Sequence, residues 1–181
     1  AADAAALLGV SAGPDESDPP ASQMPVPNYL AGIDRGLKRL RIGVDADWNR
    51  QGVDPAAAQA VEDALTVIES LGAEVRLVRF PNAEQIVADW IPYCAIETAV
   101  AHESTYPARQ AEYGPGLSKL IDIGHGLSAM DYQKMILRRI DFRGRVAALF
   151  ETIDLLVIPA RAFASPTIAK MSTLGHDPAM L

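Results

Sequence analysis

The feature that most constrains the fold is a strand, an amphipathic helix and a second strand joined by short connections. Residues 40–44, Leu-Arg-Ile-Gly-Val, alternate apolar with other side chains, as a β-strand does. A helix then begins with Asp54 as N-cap and Pro55 at its first position. Its apolar side chains recur at helical spacing: Val61, Ala64, Leu65, Ile68 and Leu71. After Gly72, residues 75–80 predict a second strand, so the segment predicts a βαβ unit.

The second half of the chain is predicted to be more helical. Residues 83–102 predict one or two helices, with Pro92 as a kink or a boundary. The core residues expected in this segment are Trp90, Ile91, Ile96 and Val100. Residues 113–116, Tyr-Gly-Pro-Gly, predict a turn.

A long helix is expected over residues 129–150, with Ser128 as its cap. Four of its apolar residues share one stripe: Met135, Phe142, Val146 and Leu149. The continuous apolar run at residues 154–159 predicts a strand buried on both faces. The whole pattern predicts the α/β class, with a mainly parallel or mixed β-sheet covered by helices.

Both ends of the sequence are expected to lie inside a larger structure. Residues 1–8 have high helix propensity, yet neither a capping residue nor an initiator Met precedes them. Asp177 and Pro178 resemble a helix start, and only three residues follow. We therefore expect residues 1–181 to form part of a domain.

Composition excludes several classes of function. Apolar residues make up 49% of the chain, but no segment approaches the ~18 consecutive apolar residues of a membrane span, so no membrane partner is expected. A net charge of −7 argues against nucleic-acid binding. The single cysteine, Cys94, excludes an internal disulfide and indicates a reducing compartment, hence a cytoplasmic protein.

Local motifs provide no complete catalytic or metal site. On one helix, Cys94 and His102 would lie about 12 Å apart, too far for a nucleophile and its base, so a core cysteine is favoured. The three histidines are scattered and no second cysteine exists, so neither a metal nor another cofactor is expected. Residues 124–126, Gly-His-Gly, are interpreted as a turn.

Two segments could contact a ligand. The long helix carries five cations, for which a solvated face is favoured over an anion site: Lys134, Arg138, Arg139, Arg143 and Arg145. The Pro/Ala-rich loop 159–167 follows a predicted strand, where α/β sheets often bind ligands, and Phe163 could form an apolar wall. A stiff surface loop is an equally weighted alternative, and Ser165 has no neighbouring base.

Several segments together resemble the amidase-signature family. These segments are residues 2–9, 12–19, 89–97, 101–103, 142–150, 154–159 and 166–167. The resemblance implies a mixed central sheet covered by helices, and hydrolysis of a carboxamide to an acid and ammonia or an amine. The family's nucleophilic Ser, second Ser and Lys lie in a Gly/Ser-rich stretch that this sequence lacks. We therefore predict the substrate-side portion of an amidase domain, inactive by itself, with no catalytic residue assigned.

The resemblance also implies a set of residues that line the pocket for a small-molecule amide. They are Tyr93, Cys94, Glu97, Phe163 and Pro166. Within the family, the glutamine-hydrolysing subunit of a transfer-RNA amidotransferase is the alternative, but its basic pair is replaced here by Lys119 and Leu120. A non-catalytic binding or scaffolding module is the alternative from another class. Self-association, for instance as a homodimer, is expected of an incomplete sheet.

Overall fold

The computed structural model describes residues 1–18 and 21–171, and the expected helix start at Asp177 lies outside these residues. The elements, in chain order, are α1 (Ala2–Ser11), β1 (Arg41–Val44), α2 (Pro55–Ser70), β2 (Glu74–Leu77), α3 (Glu84–Ala101), a 3₁₀ turn (Gln110–Glu112), α4 (Pro115–Gly126), α5 (Ala129–Phe150), β3 (Leu155–Leu156) and α6 (Ile168–Met171). In the described part of the chain, no helix is both long and apolar enough to cross a bilayer.

The three strands form one sheet in the order β2-β1-β3, and both pairings are parallel. Ile42 pairs with Val75 on one side and with Leu155 on the other, and its side chain is buried. Asp54 caps α2 by accepting a hydrogen bond from the Ala56 backbone N–H. The predicted βαβ unit and the α/β class are therefore confirmed.

The prediction that residues 154–159 form a strand buried on both faces is wrong. The strand there is only two residues long, although Asp154 and Val157 on either side of it also donate backbone hydrogen bonds to β1. In the described sheet, β1 is the one strand beside it. As an edge strand, β3 leaves Leu155 half exposed, and Ile158 is equally exposed just beyond it. The α2 stripe is likewise only half-buried at Val61, Leu65 and Ile68.

Helix α3 runs unbroken through Pro92 and packs against α4 and α5. The prediction that Trp90 and Val100 belong to the core is wrong, because the two residues are 67% and 69% exposed. The buried positions of α3 are instead Asp89, on the side that faces α5, and Ala95 and Ala99, on the side that faces α4. The two small alanine side chains let α4 approach α3 closely.

Helix α4 was not predicted, and both turns expected around it are wrong. Gly114 is the N-cap of α4, and Pro115 takes the first helical position, which tolerates a missing N–H. Gly124 lies within the helix, against α3: a Cβ there would lie 2.6 Å from the Ala95 carbonyl carbon and 2.9 Å from the Ala99 Cβ. This glycine therefore permits the close contact between the two helices.

The prediction for α5 is confirmed at both ends. Ser128 accepts a hydrogen bond from the Asp131 backbone, and Asp131 accepts one from the Ser128 backbone in return, which is a capping box. In the predicted stripe Met135 is buried, and Phe142, Val146 and Leu149 are half-buried.

Candidate functional site

A pocket of about 240 Å³ lies between α3 and α5. From α3 it is lined by Ile86, Asp89, Trp90, Tyr93, Cys94 and Glu97, and from α5 by Met135 and Arg139. The α3 residues recur at intervals of three and four, so helical periodicity places them on one face. We call this the α3/α5 pocket.

Tyr93 is held in a fixed position in the α3/α5 pocket. Its ring stacks on Tyr132, with centroids 5.3 Å apart and an interplanar angle of 28°. The Arg139 guanidinium carbon lies 5.2 Å from the ring centroid, and Arg139 Nη1 donates a 2.9 Å hydrogen bond to Tyr93 Oη. Hydrogen bonds of the hydroxyl with Tyr132 and Glu97, together with partial burial, raise the pKa of Tyr93 to about 12. The side chain is therefore a protonated hydroxyl at neutral pH.

An ion pair joins the two helices beside Tyr93. Arg138 donates from Nε and Nη2 to the two carboxylate oxygens of Asp89, at 2.6 and 2.8 Å. Gln85 donates a further hydrogen bond of 2.9 Å to Asp89. The Arg138 hydrogen bonds hold the pKa of Asp89 below its ordinary value of 3.8. The buried carboxylate thus stays ionised, and its charge is balanced by Arg138.

The prediction of a solvated basic face on α5 therefore needs correction at two positions. Arg138 bonds to Asp89 and Arg139 to Tyr93, so both side chains reach across to α3. Arg145 instead pairs with Asp141 on its own helix, at 3.0 Å, as an exposed pair.

The residues expected from the sequence to line one pocket fall into two places. Tyr93, Cys94 and Glu97 lie together in the α3/α5 pocket. Phe163 lines a different groove, of about 560 Å³, between the loop that follows β3 and α2. Pro166 is half-buried and lines neither cavity.

Five residues of the α3/α5 pocket were not expected to contact a ligand: Ile86, Asp89, Trp90, Met135 and Arg139. A signal for two of them was present, because Ile86, Trp90 and Cys94 are spaced four residues apart and so share a face. No sequence signal identified α5 as the opposite wall.

Cys94 is half-buried in the pocket and not in the core, and no histidine among the described residues lines the pocket with it. His102 lies at the end of α3, where its Nδ1 is 3.1 Å from Tyr113 Oη. The two side chains thus belong to different surroundings, as their sequence separation indicated. Within residues 1–18 and 21–171, no three His, Cys, Asp or Glu side chains are grouped so that they could hold a metal ion.

Comparison with known proteins places these observations in a family. The family model described as Amidase matches residues 1–181. The chain is 40% identical over 178 residues to the protein named "Putative amidase AmiD" of Mycobacterium tuberculosis (strain ATCC 25618 / H37Rv), a match that covers 97% of this chain and 37% of that protein. It is 36% identical over 124 residues to a glutamyl-tRNA(Gln) amidotransferase subunit of Geobacter sp. (strain M21), covering 65% of this chain and 25% of that protein.

The fold has a counterpart among solved structures. A 6-aminohexanoate cyclic dimer hydrolase superposes with a TM-score of 0.79 at 23% identity, covering 93% of this chain and 37% of that one. At this identity the likeness shows the fold alone. The chain thus spans little more than a third of the length of the amidase and of the hydrolase.

Proposed function

Because the chain belongs to the amidase family, we propose that it forms the substrate-side part of an enzyme that hydrolyses a carboxamide. In the reaction water adds across the C–N bond, and the products are a carboxylic acid and ammonia or an amine. The observation that carries this proposal is the family match along residues 1–181, together with a pocket that collects Tyr93, Cys94 and Glu97.

The groups of the α3/α5 pocket suit binding and orientation of an amide. A neutral amide offers an N–H donor and a carbonyl acceptor. Glu97 can accept a hydrogen bond, and Arg139 can donate one. Tyr93, protonated at neutral pH, supplies a neutral polar group between an apolar wall and these two charges. We assign these residues to substrate binding and assign the nucleophile to none of them.

The test compares two proteins purified in parallel: residues 1–181, and the full-length protein encoded by the gene. We expect the full-length protein to hydrolyse amides, with ammonia or amine release that a serine-directed inhibitor abolishes. Residues 1–181 should release no product above buffer. Inhibitor-sensitive hydrolysis by residues 1–181 would contradict their assignment as a substrate-side part without a nucleophile. A full-length protein that is inactive on every amide would favour a scaffolding module.

A second test addresses the pocket in the full-length enzyme. Replacing Tyr93 by Phe removes a hydroxyl that bonds to Arg139, so we expect KM to rise about 3- to 10-fold, the equivalent of one hydrogen bond. Tyr29→Phe is the matched control, because Tyr29 is partly exposed and does not line the pocket. Equal KM values for the two variants would contradict the assignment of the α3/α5 pocket to substrate binding.

The glutamine-hydrolysing amidotransferase remains the second candidate, supported by the 36% identity to the Geobacter protein. Such proteins carry a pair of basic residues at this place in the sequence. Here the pair is replaced by Lys119 and Leu120 on α4, so one of the two positive charges is missing. We therefore expect the full-length protein to hydrolyse uncharged amides faster than glutamine. Faster release of ammonia from glutamine than from uncharged amides would make the amidotransferase subunit the preferred candidate.

We propose a cytoplasmic enzyme, supported by the single free cysteine, and a small-molecule amide as its substrate. Nucleic acid is not proposed as a partner, given the net charge of −7. A homodimer is consistent with the exposed apolar residues at the sheet edges.

A further inference from the structure

The corner between α3 and α4 contains a histidine, His102, whose ring contacts an aromatic side chain. His102 is the C-cap of α3 and is half-buried. Its ring meets that of Tyr113 edge to face, with centroids 5.3 Å apart and an interplanar angle of 83°. Tyr113 directly precedes Gly114, the N-cap of α4. The contact between the two rings therefore joins the end of α3 to the start of α4.

Three hydrogen-bond contacts connect His102, Tyr113 and Thr105 in a closed set. His102 Nδ1 lies 3.1 Å from Tyr113 Oη, and Tyr113 Oη lies 2.5 Å from Thr105 Oγ1. Thr105 Oγ1 in turn donates to the backbone carbonyl of His102, at 3.3 Å. The contacts thus begin and end on the same residue. We call this set the His102 cycle.

The number of hydrogens fixes the direction of the His102 cycle. Each of the three contacts needs one hydrogen, and the two hydroxyl groups supply two. Thr105 gives its hydrogen to the His102 carbonyl, so Thr105 Oγ1 accepts from Tyr113. Tyr113 then has no hydrogen left for the imidazole, so the third hydrogen is on Nδ1. The opposite direction, from Thr105 through Tyr113 to Nδ1, makes only two of the three contacts.

We infer that the His102 cycle holds His102 as the Nδ1–H tautomer, so that Nε2 is the atom at which this residue acts as a base. In a neutral imidazole, one nitrogen carries the hydrogen and the other carries the lone pair. Among the described residues, none makes a hydrogen bond to Nε2. Its lone pair is therefore not occupied by any contact in this part of the chain.

Protonation of His102 leaves the cycle intact. The proton is added to Nε2, while Nδ1 keeps its hydrogen and continues to donate to Tyr113. In the opposite tautomer, the proton would be added to Nδ1, and the Tyr113 hydroxyl could no longer donate to it. A base must take up and return a proton without losing its position. The direction of the cycle gives His102 this property.

Other titratable groups lie behind Tyr113. Tyr106 packs edge to face on Tyr113, with centroids 5.4 Å apart, and donates a 2.7 Å hydrogen bond to Asp122 on α4. His125, near the end of α4, stacks on Tyr106 at 6.3 Å. The described residues include no carboxylate that is hydrogen-bonded to the His102 ring. Its tautomer is therefore determined by the two hydroxyl groups.

The experiment is a pH titration of the full-length protein labelled with ¹⁵N-histidine. Long-range ¹H–¹⁵N correlation spectra distinguish a ring nitrogen that bears hydrogen from one that carries the lone pair. The variant His102→Gln assigns the His102 signals by their loss. We expect Nδ1–H to be the major neutral form. On acidification Nε2 should be the nitrogen that gains a hydrogen.

A variant of Thr105 tests whether the cycle sets the tautomer. Thr105→Val keeps the shape of the side chain and removes its hydroxyl, so the ratio of the Nδ1–H form to the Nε2–H form should fall about 3- to 10-fold, the equivalent of one hydrogen bond. Thr66→Val is the matched control, because the Thr66 hydroxyl bonds to the Glu62 carbonyl within α2. If His102→Gln does not fold, the histidine signals that move in Thr105→Val and not in Thr66→Val assign His102.

Two results would overturn the inference. The first is a neutral His102 that is mainly the Nε2–H form, with Nδ1 gaining the hydrogen in acid. The second is a tautomer ratio that is the same in Thr105→Val and in the wild type. Neither result depends on what the full-length protein hydrolyses, so failure of the amidase proposal and failure of this inference are separate outcomes.

Discussion

At the scale of single residues, the pairing of Asp89 with Arg138 governs how α3 faces α5. Asp89→Ala removes three hydrogen bonds at a buried position, two of them from Arg138. We expect the free energy of unfolding to fall by about 1–3 kcal/mol, measured by urea denaturation. Asp141→Ala breaks the exposed pair with Arg145 and should cost less than about 0.5 kcal/mol. Equal losses in the two variants would show that the Asp89 pair contributes no more than a surface contact.

Asp154 makes the sheet sensitive to acid. Arg41 at the start of β1 bonds to Asp154 through its backbone N–H and its guanidinium, and this lowers the pKa of Asp154 from 3.8 to about 2. A lowered pKa contributes stability that is complete above pH 4 and is lost as the pH falls toward 2. The stability difference between wild type and Asp154→Asn should therefore be constant near neutral pH and shrink from pH 4 to pH 2. Thermal melts across this range measure it, and a pH-independent difference would exclude the ionised pair as its source.

At the scale of elements, Gly124 sets the distance between α3 and α4. Gly124→Ala places a methyl group against the Ala95 backbone and the Ala99 side chain, so the helices must separate. The overpacking cost of about 1–3 kcal/mol exceeds the helix-propensity gain of about 1 kcal/mol. The thermal midpoint should fall. Gly144→Ala, in the interior of α5 with nothing within 4 Å, has only the gain and should raise the midpoint. A rise in both variants would mean that α4 can shift at little cost.

Local signals predicted the elements that carry their own caps and missed those defined by packing. Helix α5 was predicted to the residue because Ser128 and the apolar stripe both act within the helix. Helix α4 was missed because Gly114 and Gly124 are typical turn residues, while the need for Gly124 arises only from contact with Ala95 on α3. Turn propensity and close helix packing select the same amino acid.

The residues of the candidate site also differ in whether local sequence or tertiary packing determines their position. Tyr93, Cys94 and Glu97 were predicted together and lie together, since one helix face fixes their spacing. Phe163 lies in a separate groove, because the position of a loop depends on tertiary contacts such as the hydrogen bond from the Asp54 backbone to Ala162. Whether these residues bind substrate stays a prediction.

At the scale of the whole molecule, residues 1–181 expose apolar side chains at both edges of the sheet. Leu77 on β2 is 83% exposed, and Leu155 on β3 is 50% exposed. Parallel strands with uncovered edges favour pairing with another chain. We expect sedimentation velocity to show an average mass that increases with concentration. A monodisperse monomer with one cooperative melting transition would contradict this expectation.

The strand order β2-β1-β3 has a consequence during synthesis. The central strand can pair with β2 as soon as α2 and β2 have been made, but β3 follows roughly 80 residues after β2. At about 5–20 residues per second, a ribosome needs on the order of 4–16 s for that interval. One side of Ile42 and Gly43 stays unpaired throughout. The nascent chain therefore passes through a period of seconds in which it offers a chaperone, or a second nascent chain, an open edge of its central strand.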